Sequence, residues 1–335
     1  MHRCLYAGTL ALPSQAKSDL ASAGIELVVN PHGRTLSESD LISLLGDFDA
    51  VLAGPERYSA DVISSSKRLK IIARTGVGYD KVDVKAASEN HVYVTWTPVP
   101  ELASSVADMA IGLMLALVKR IPQLNSEVRE GRWERQRWST EVGDLRGHTL
   151  GLLGLGRIGV EVAARARAFG MKVIYYDVVR MEQREKELSI EYVPLDRLLA
   201  ESDVLSIHAP LTPETRNIID RAALEKMKST ALLVNTSRGE LVDENALAEA
   251  LRTNKLAGAG LDVLSQEPPT AGHPFYKLDD ALPNLILTGH VAFGRDTFGA
   301  MVAAACDDVK RALRGETPKY LLNPGVTPKP ETHRV

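Results

Sequence analysis

Three glycines follow an apolar, strand-sized run in the middle of the chain. The segment 151–159 reads GLLGLGRIG and places Gly154, Gly156 and Gly159 in a G-x-G-x-x-G pattern. The residues after it have the spacing of an amphipathic helix, which Gly170 ends. In such a strand–turn–helix unit the first glycine permits the tight turn, the second lets the backbone approach a pyrophosphate, and the third allows close helix–strand packing. The pattern indicates a dinucleotide-binding unit.

The next predicted strand, KVIYYD, ends in Asp177, eighteen residues beyond Gly159. A carboxylate at this position can hydrogen-bond the adenosine ribose hydroxyls. It also repels a 2′-phosphate, which favours NAD over NADP, although Arg180 could soften that preference. We therefore expect NAD as the cofactor, with NADP as the open alternative.

Short apolar runs alternate with helix-like stretches along most of the chain, which predicts an α/β fold built from βαβ units with parallel strands. The predicted strands are 2–8, 25–30, 49–54, 69–75, 91–96, 149–154, 172–177, 203–208, 231–236, 257–263 and 285–290. The run 101–120 is apolar on most faces and predicts one buried helix between two βα series. A last helix is expected at 296–313, ended by Gly315, and the tail 327–335 is expected to be disordered. We expect two doubly wound parallel-sheet domains.

Composition narrows the classes of partner. The 335 residues carry a net charge of −3, so the chain offers no large basic field for nucleic acid or an anionic membrane. No signal peptide and no spanning run of apolar residues is visible. Cys4 and Cys306 lack metal-ligand spacing and read as free thiols of a cytoplasmic protein. We expect no nucleic-acid partner and no membrane partner.

The stretch 129–138, REGRWERQRW, is both basic and aromatic, as in some nucleic-acid patches. It also contains Glu130 and Glu134, and the whole chain is slightly acidic. We therefore expect a solvated helix end with two packing tryptophans.

Polar side chains follow several predicted strands of the second series. Arg238 follows 231–236, Glu267 lies shortly after 257–263, and His290 ends the run LTGH in LTGHVAFG. Read alone, the stretch favours a core histidine with a satisfied hydrogen bond over a catalytic one. Because ligands of doubly wound sheets bind beyond the carboxyl ends of the strands, the three groups together favour a site. An arginine fork can hold a carboxylate, and a glutamate beside a histidine can hold its imidazolium ready to donate a proton.

The chain resembles the D-isomer-specific 2-hydroxyacid dehydrogenase family over nearly its whole length. The motifs are ARTGVGYDKVD (73–83), LLGLGRIG, HAPLTPET (208–215), VNTSRGELVDE (234–244), AGLDVLSQEPP (259–269) and the histidine segment, in the family's order. The resemblance implies a Rossmann cofactor domain, 101–291, inserted in a flavodoxin-like substrate domain formed by 1–100 plus 292–335. It also implies a homodimer, a cleft that closes around a small 2-keto or 2-hydroxy acid, and no metal.

The resemblance implies roles for individual residues. Arg238, Glu267 and His290 are expected to be catalytic. Arg74, Val77, Gly78, Arg238 and His290 are expected to bind substrate. The residues expected to bind the cofactor are Gly154, Gly156, Arg157, Ile158, Gly159, Asp177, His208, Pro210, Thr215, Thr236, Ser237, Arg238, Asp262 and His290, with Asp262 near the nicotinamide carboxamide.

Some positions depart from the family pattern. Gly289 stands where proline commonly precedes the histidine, the continuation after it is VAFGRDTFGAM, and Asp108 stands where glutamate is usual. Since residues around His290 help to line the substrate pocket, we expect these differences to affect substrate choice more than the reaction.

The expected function is NAD-dependent reduction of a small 2-keto acid, of the glyoxylate or hydroxypyruvate type. The named alternative is D-3-phosphoglycerate dehydrogenase, for which Arg74 is a candidate phosphate ligand. Against it, Gly54 stands where such enzymes often have another arginine, although Arg57 could substitute, and we expect no regulatory extension.

Two further alternatives are an NADH-sensing, corepressor-like binding protein and a formate-dehydrogenase-like enzyme. A corepressor-like protein would be favoured by long interaction tails, and we expect none here. A formate-dehydrogenase-like enzyme pairs its histidine with glutamine, whereas this chain has Glu267.

Overall fold

The structure is a computed structural model and describes residues 1–277 and 284–327. The tail that the sequence predicts to be disordered lies, after Thr327, outside the described residues. The chain divides into two compact units, one formed by Met1–Leu102 with Gly294–Val335 and the other by Ala103–Phe293.

The first unit is built on a five-stranded parallel sheet. Its strands are β1 His2–Tyr6, β2 Ile25–Val29, β3 Ala50–Ala53, β4 Ile71–Arg74 and β5 Tyr93–Thr95. Between them lie α1 Ser14–Ser22, α2 Glu38–Leu44, α3 Ala60–Ser65 and α4 Val84–Glu89. The strand order β2-β1-β3-β4-β5 is that of flavodoxin-like sheets. All four residues of β3 are buried, as expected of a central strand covered on both faces.

Three helices follow: α5 Pro100–Val118, α6 Ile121–Arg129 and α7 Arg135–Glu141. The expectation that no apolar run reaches spanning length is wrong for α5: among the described residues, it is the one helix that has the length and the apolar composition to span a membrane. Its buried residues from Ala107 to Leu117 belong to the same apolar cluster as Leu150 and Leu152. Its hydrophobicity is therefore accounted for by core packing in the second unit.

The expectation of two packing tryptophans is half wrong. Trp138 in α7 is buried and donates from Nε1 to the Glu127 carboxylate at 2.6 Å. Trp133, between α6 and α7, is 78% exposed. The polar residues that surround both tryptophans in the sequence do not reveal which ring meets the core.

The second unit contains a seven-stranded parallel sheet. Its strands are β6 Thr149–Leu153, β7 Lys172–Tyr176, β8 Glu191–Tyr192, β9 Val204–Ile207, β10 Leu232–Asn235, β11 Gly258–Leu261 and β12 Leu285–Leu287. The helices are α8 Arg157–Ala168, α9 Glu182–Leu188, α10 Leu195–Glu201, α11 Arg221–Lys226 and α12 Glu244–Arg252. The order β8-β7-β6-β9-β10-β11-β12 has the Rossmann arrangement, so the predicted α/β class with two doubly wound sheets is confirmed. The prediction missed β8, which is too short to produce an alternating pattern.

The final helix, α13 Arg295–Leu313, belongs to the first unit. It packs on β3 and β4 and against α1. Met301, Val302, Ala305 and Val309 are buried on it, at the helical spacing of one face.

Candidate active site

The residues predicted for the site in the second unit follow neighbouring strands. The glycine turn follows β6, His208 follows β9, Arg238 follows β10, Asp262 follows β11, and His290 comes three residues after β12. Because every strand pair in this sheet is parallel, these positions lie at one edge. The strand order reverses beside β6 and β9, which is where ligands of doubly wound sheets bind.

The glycine turn has the backbone that a dinucleotide requires. Gly154 has φ +99°, and a Cβ there would lie 2.7 Å from the Ala209 nitrogen. A Cβ on Gly159 would overlap the Gly154 carbonyl oxygen, whereas one on Gly156 would meet nothing within 4 Å. The turn is closely packed on the protein side and open at Gly156, where α8 and its first residues, Arg157 and Ile158, begin. This matches the space and the amide donors that a pyrophosphate needs.

Asp177 is half-buried just beyond β7. Its carboxylate accepts a hydrogen bond from the Leu155 amide at 2.8 Å, which ties it to the glycine turn. Arg180 instead donates from Nε and Nη2 to both oxygens of Glu185, at 2.8 and 2.9 Å. The carboxylate therefore lies where a ribose is expected, and the nearby guanidinium is engaged by another acid.

Two residues predicted to bind the cofactor have a buried polar atom without a partner in the described part of the chain. The atoms are Nδ1 of His208 and Oγ1 of Thr236. Ser206 lies 2.9 Å from the other ring nitrogen of His208, and burial lowers the pKa of His208 to about 3, so its imidazole is neutral near pH 7. Unsatisfied buried groups are costly, and a polar ligand at this edge would satisfy them. Both positions thus fit the predicted cofactor.

The loops after β9 and β10 are held together by side-chain hydroxyls. Thr215 donates to the Pro210 carbonyl at 2.8 Å, and Ser237 donates to the Ala209 carbonyl at 2.6 Å. These bonds use hydroxyls of residues predicted to bind cofactor, so in the structure Thr215 and Ser237 shape the loops.

Arg238 is half-buried at the end of the β10 loop. The Asn235 side chain donates to the Arg238 carbonyl at 2.7 Å, and Nη1 of Arg238 donates to the Ser237 carbonyl at 2.8 Å. The loop therefore holds the backbone and one arm of the guanidinium. This limits the conformational entropy that carboxylate binding must overcome.

Glu267 and His290 form the pair that the sequence predicts. Nδ1 of His290 lies 2.7 Å from Oε2 of Glu267, and the side chains are 43% and 34% exposed. Because an ionised carboxylate only accepts hydrogen bonds, Nδ1 carries the hydrogen in this pair, and Nε2 is the ring nitrogen that can exchange a proton with another group. The other oxygen of Glu267 accepts from the Leu264 amide at 3.0 Å.

His290 has a left-handed backbone, with φ +56°. This conformation costs a residue other than glycine roughly 1–2 kcal/mol. Asp262, which is 1% exposed, supports it: its carbonyl accepts from the His290 amide at 2.7 Å, and its carboxylate accepts from Thr288 and from the Val291 and Ala292 amides. Asp262 thus holds the histidine segment, while its contact with a cofactor stays a prediction.

The loop after β4 in the first unit is held by Arg74. The guanidinium donates from Nε to the Gly78 carbonyl at 2.9 Å and from Nη1 to the Ala53 carbonyl at 3.1 Å. Within residues 1–277 and 284–327, the Val77 and Gly78 amides donate to no other residue. Two such amides can bind a carboxylate, but their contact with a substrate stays a prediction, and so does that of Arg74, which here braces the loop.

Sequence reasoning overlooked a second group of residues near Glu267. Glu244 is hydrogen-bonded both to Ser265 and to His273, and Gly239 lies against the 264–265 backbone. A glutamate in the first turn of a helix ordinarily faces solvent and interacts favourably with the helix dipole. The sequence position of Glu244 therefore does not indicate its buried contacts. In the ranges 1–277 and 284–327, no cluster of three or more His, Cys, Asp or Glu side chains is arranged to hold a metal ion.

Comparison with known proteins gives consistent matches. The profile of the "D-isomer specific 2-hydroxyacid dehydrogenase, NAD binding domain" matches residues 111–292. A glyoxylate reductase of Korarchaeum cryptofilum is 42% identical over 292 residues, 86% of each chain. A D-3-phosphoglycerate dehydrogenase of Archaeoglobus fulgidus is 41% identical over 258 residues, which are 77% of this chain and 48% of that one.

A solved structure supports the same assignment over more of the chain. The crystal structure of a glyoxylate reductase from Paecilomyes thermophila superposes with a TM-score of 0.84 at 31% identity, and covers 96% of this chain and 98% of that one. The parallel sheets, the glycine turn and the matches over most of the sequence agree. The chain belongs to the D-isomer-specific 2-hydroxyacid dehydrogenase family.

Proposed function

We propose that the protein is an NAD-dependent reductase of small 2-keto acids, of the glyoxylate and hydroxypyruvate type, which forms the corresponding D-2-hydroxy acids. The observation that carries the proposal is the Glu267–His290 pair, at the edge of the sheet that also holds the glycine turn. Relatives named glyoxylate reductase and hydroxypyruvate reductase, about 40% identical, support this substrate class.

Each side chain has a defined part in the proposed reaction. Arg238 binds the substrate carboxylate and orients the keto group, and the Val77 and Gly78 amides are proposed as further carboxylate ligands. The cofactor, when bound, supplies the hydride that is added to C2. His290 donates the proton from Nε2 to the carbonyl oxygen, and Glu267 stabilises the imidazolium and keeps it oriented. In the direction of oxidation His290 accepts that proton.

The residues around the glycine turn support NAD over NADP as the cofactor. Asp177 is held beside the glycine turn, and Arg180, the cation that could accept a 2′-phosphate, is paired with Glu185. The Asp177 carboxylate would repel a 2′-phosphate at this position, and Glu185 already neutralises the charge of Arg180.

Replacing Asp177 with asparagine is therefore expected to raise the ratio of kcat/KM with NADPH to kcat/KM with NADH by about tenfold or more, which corresponds to about 1.4 kcal/mol. Asparagine can still accept from the Leu155 amide, so the turn should persist. Initial rates with both cofactors measure the ratio, and Asp196→Asn, an exposed acid of α10, is the control. An unchanged ratio in Asp177→Asn would show that this carboxylate does not select the cofactor.

The geometry of the first unit favours a substrate without a phosphate over 3-phosphoglycerate. Arg74 braces its own loop, and Arg57 is exposed and paired with Glu38 at 3.4 Å. A Cβ on Gly54 would lie 3.0 Å from the buried Glu56 carboxylate, so an arginine there does not fit without moving that group. D-3-phosphoglycerate dehydrogenase remains the second candidate because relatives of that name are about 40% identical.

The deciding experiment is a panel of initial rates with NADH and NADPH. The substrates are glyoxylate, hydroxypyruvate, pyruvate, phenylpyruvate and 3-phosphohydroxypyruvate. We expect the highest kcat/KM with NADH and with glyoxylate or hydroxypyruvate. A maximum with 3-phosphohydroxypyruvate would favour the second candidate, and no turnover together with NADH-dependent peptide binding would favour a corepressor-like protein.

We also propose a cytoplasmic homodimer. Cys4 and Cys306 are both buried free thiols, which suits a reducing compartment. The segment 121–133 of the second unit has three exposed apolar side chains, Ile121, Val128 and Trp133, of a kind that interfaces cover. Light scattering after gel filtration measures the assembly, and a monomer would contradict the proposal.

A further inference from the structure

A second carboxylate–imidazole pair lies close to the first in the sequence but is buried. Oε2 of Glu244 is 3.1 Å from Nε2 of His273, and the two side chains are 8% and 5% exposed. The proposed chemistry uses neither residue. Placing a carboxylate out of contact with water is costly, so this pair needs a reason in the structure.

The pair holds both ends of one loop. Glu244 lies in the first turn of α12, next to Asp243, which caps that helix by accepting from the Asn245 and Ala246 amides. Its Oε1 accepts from the Ser265 amide at 2.8 Å, and its Oε2 accepts from the Ser265 hydroxyl. At the other end of the loop, His273 packs against the Phe275 ring at 5.1 Å between centroids. A helix with a fixed start thus restrains residues 265 and 273.

The loop between these ends carries Glu267. The amide of Leu264, the neighbour of Ser265, donates to Oε1 of Glu267, and Oε2 of the same carboxylate bonds to His290. The 264–265 backbone also lies directly on Gly239, where any Cβ would overlap it. The orientation of the Glu267 carboxylate therefore depends on where Glu244 holds Ser265.

We propose that Glu244, together with His273, is a positioning residue for proton transfer: it fixes the 264–267 segment so that the Leu264 amide aligns Glu267 with His290. The expected effect on turnover rests on the proposed function. The alignment of Glu267 with His290 does not. A displacement of about 1 Å in a group remote from the chemistry can reduce turnover about 10²-fold, which sets the size of the expected effect.

The kinetic test compares Glu244→Ala with the wild-type full chain. We expect kcat for keto-acid reduction to fall about 10- to 100-fold with an unchanged Kd for NADH. The decline of activity at high pH should move to lower pH, because a misaligned Glu267 stabilises the imidazolium less. Glu249→Ala, a half-buried acid of the last turns of α12 that pairs with Arg252, is the matched control and should keep wild-type kinetics.

A double-mutant cycle tests whether Glu244 acts through Glu267. In a Glu267→Gln background, adding Glu244→Ala should change kcat by less than about twofold, because the interaction it supports is already lost. Ser265→Ala, which removes only the hydroxyl contact, should give a smaller fall in the same direction and covers the case in which Glu244→Ala does not fold. Full additivity in the cycle would overturn the proposal.

An assay that needs no substrate separates this proposal from the proposed function. NMR titration of labelled histidines in the whole protein, with His290 assigned by its loss in His290→Gln, should show a lower His290 midpoint in Glu244→Ala or Ser265→Ala than in the wild type. If the protein reduced none of the keto acids, the proposed function would be contradicted. The shift of the His290 midpoint would still test whether Glu244 positions Glu267. A lower Tm with an unchanged midpoint would mean that Glu244 is only structural.

Discussion

Replacing His290 with glutamine is expected to lower kcat for 2-keto acid reduction about 10²- to 10⁴-fold, the range that a positioned general acid contributes. Glutamine has a similar reach and can hydrogen-bond Glu267, but it has no transferable proton near neutral pH. Since the glycine turn and Asp177 lie elsewhere at the sheet edge, the Kd for NADH should change little. Stopped-flow reduction rates and a fluorescence titration with NADH measure the two quantities.

His148 provides a matched control for this substitution. It is an exposed histidine immediately before β6, at the opposite end of the sheet, and its Nδ1 lies 3.4 Å from Asp203. His148→Gln therefore removes an imidazole near a carboxylate without touching the proposed site. If His290→Gln retained the wild-type kcat, the assignment of His290 as proton donor would be wrong.

The second large effect is expected from Arg238→Gln. Removing one partner of a desolvated charge pair costs about 2–5 kcal/mol, which is a loss of roughly 30-fold to several-thousand-fold in kcat/KM for the keto acid. Most of the loss should be a higher KM for the keto acid, because the carboxylate is bound before and during hydride transfer. Arg238→Lys should recover only part of it, because an ammonium group lacks the planar fork.

Steady-state kinetics over a range of keto-acid concentrations check this expectation. Arg252→Gln, at the end of α12, removes an exposed arginine of the same unit and serves as the control. A keto-acid KM within twofold of the wild type in Arg238→Gln would exclude a contact between this arginine and the substrate carboxylate.

The sequence predicts most of the architecture because its signals are local. Apolar runs of six or seven residues mark the predicted strands, and the glycines at 154, 156 and 159 become informative because a strand precedes them and a helix follows. The short β8 and the unequal burial of Trp133 and Trp138 escape this reasoning. Both depend on tertiary neighbours, which no short window of sequence contains.

The sequence also predicts part of the candidate site. Parallel strands bring their carboxyl ends to one edge, so the pairing of Glu267 with His290 followed from topology and residue type. The role of Asp262 in holding His290, and the bonds of Glu244 with Ser265 and His273, did not. They join residues more than 20 positions apart through hydrogen bonds that leave no periodic pattern.

The position of α13 has a consequence for biosynthesis. This helix covers β3 and β4, yet it lies after the roughly 190 residues of the second unit in the chain. At the usual rates of translation those residues need roughly 10 to 40 seconds. Until α13 has been synthesised, one apolar face of the first unit's sheet is therefore exposed on the nascent chain. The second unit is synthesised, and can fold, during that time. A nascent chain stalled at residue 290 should bind chaperones through that face, and one that has released Leu313 should not.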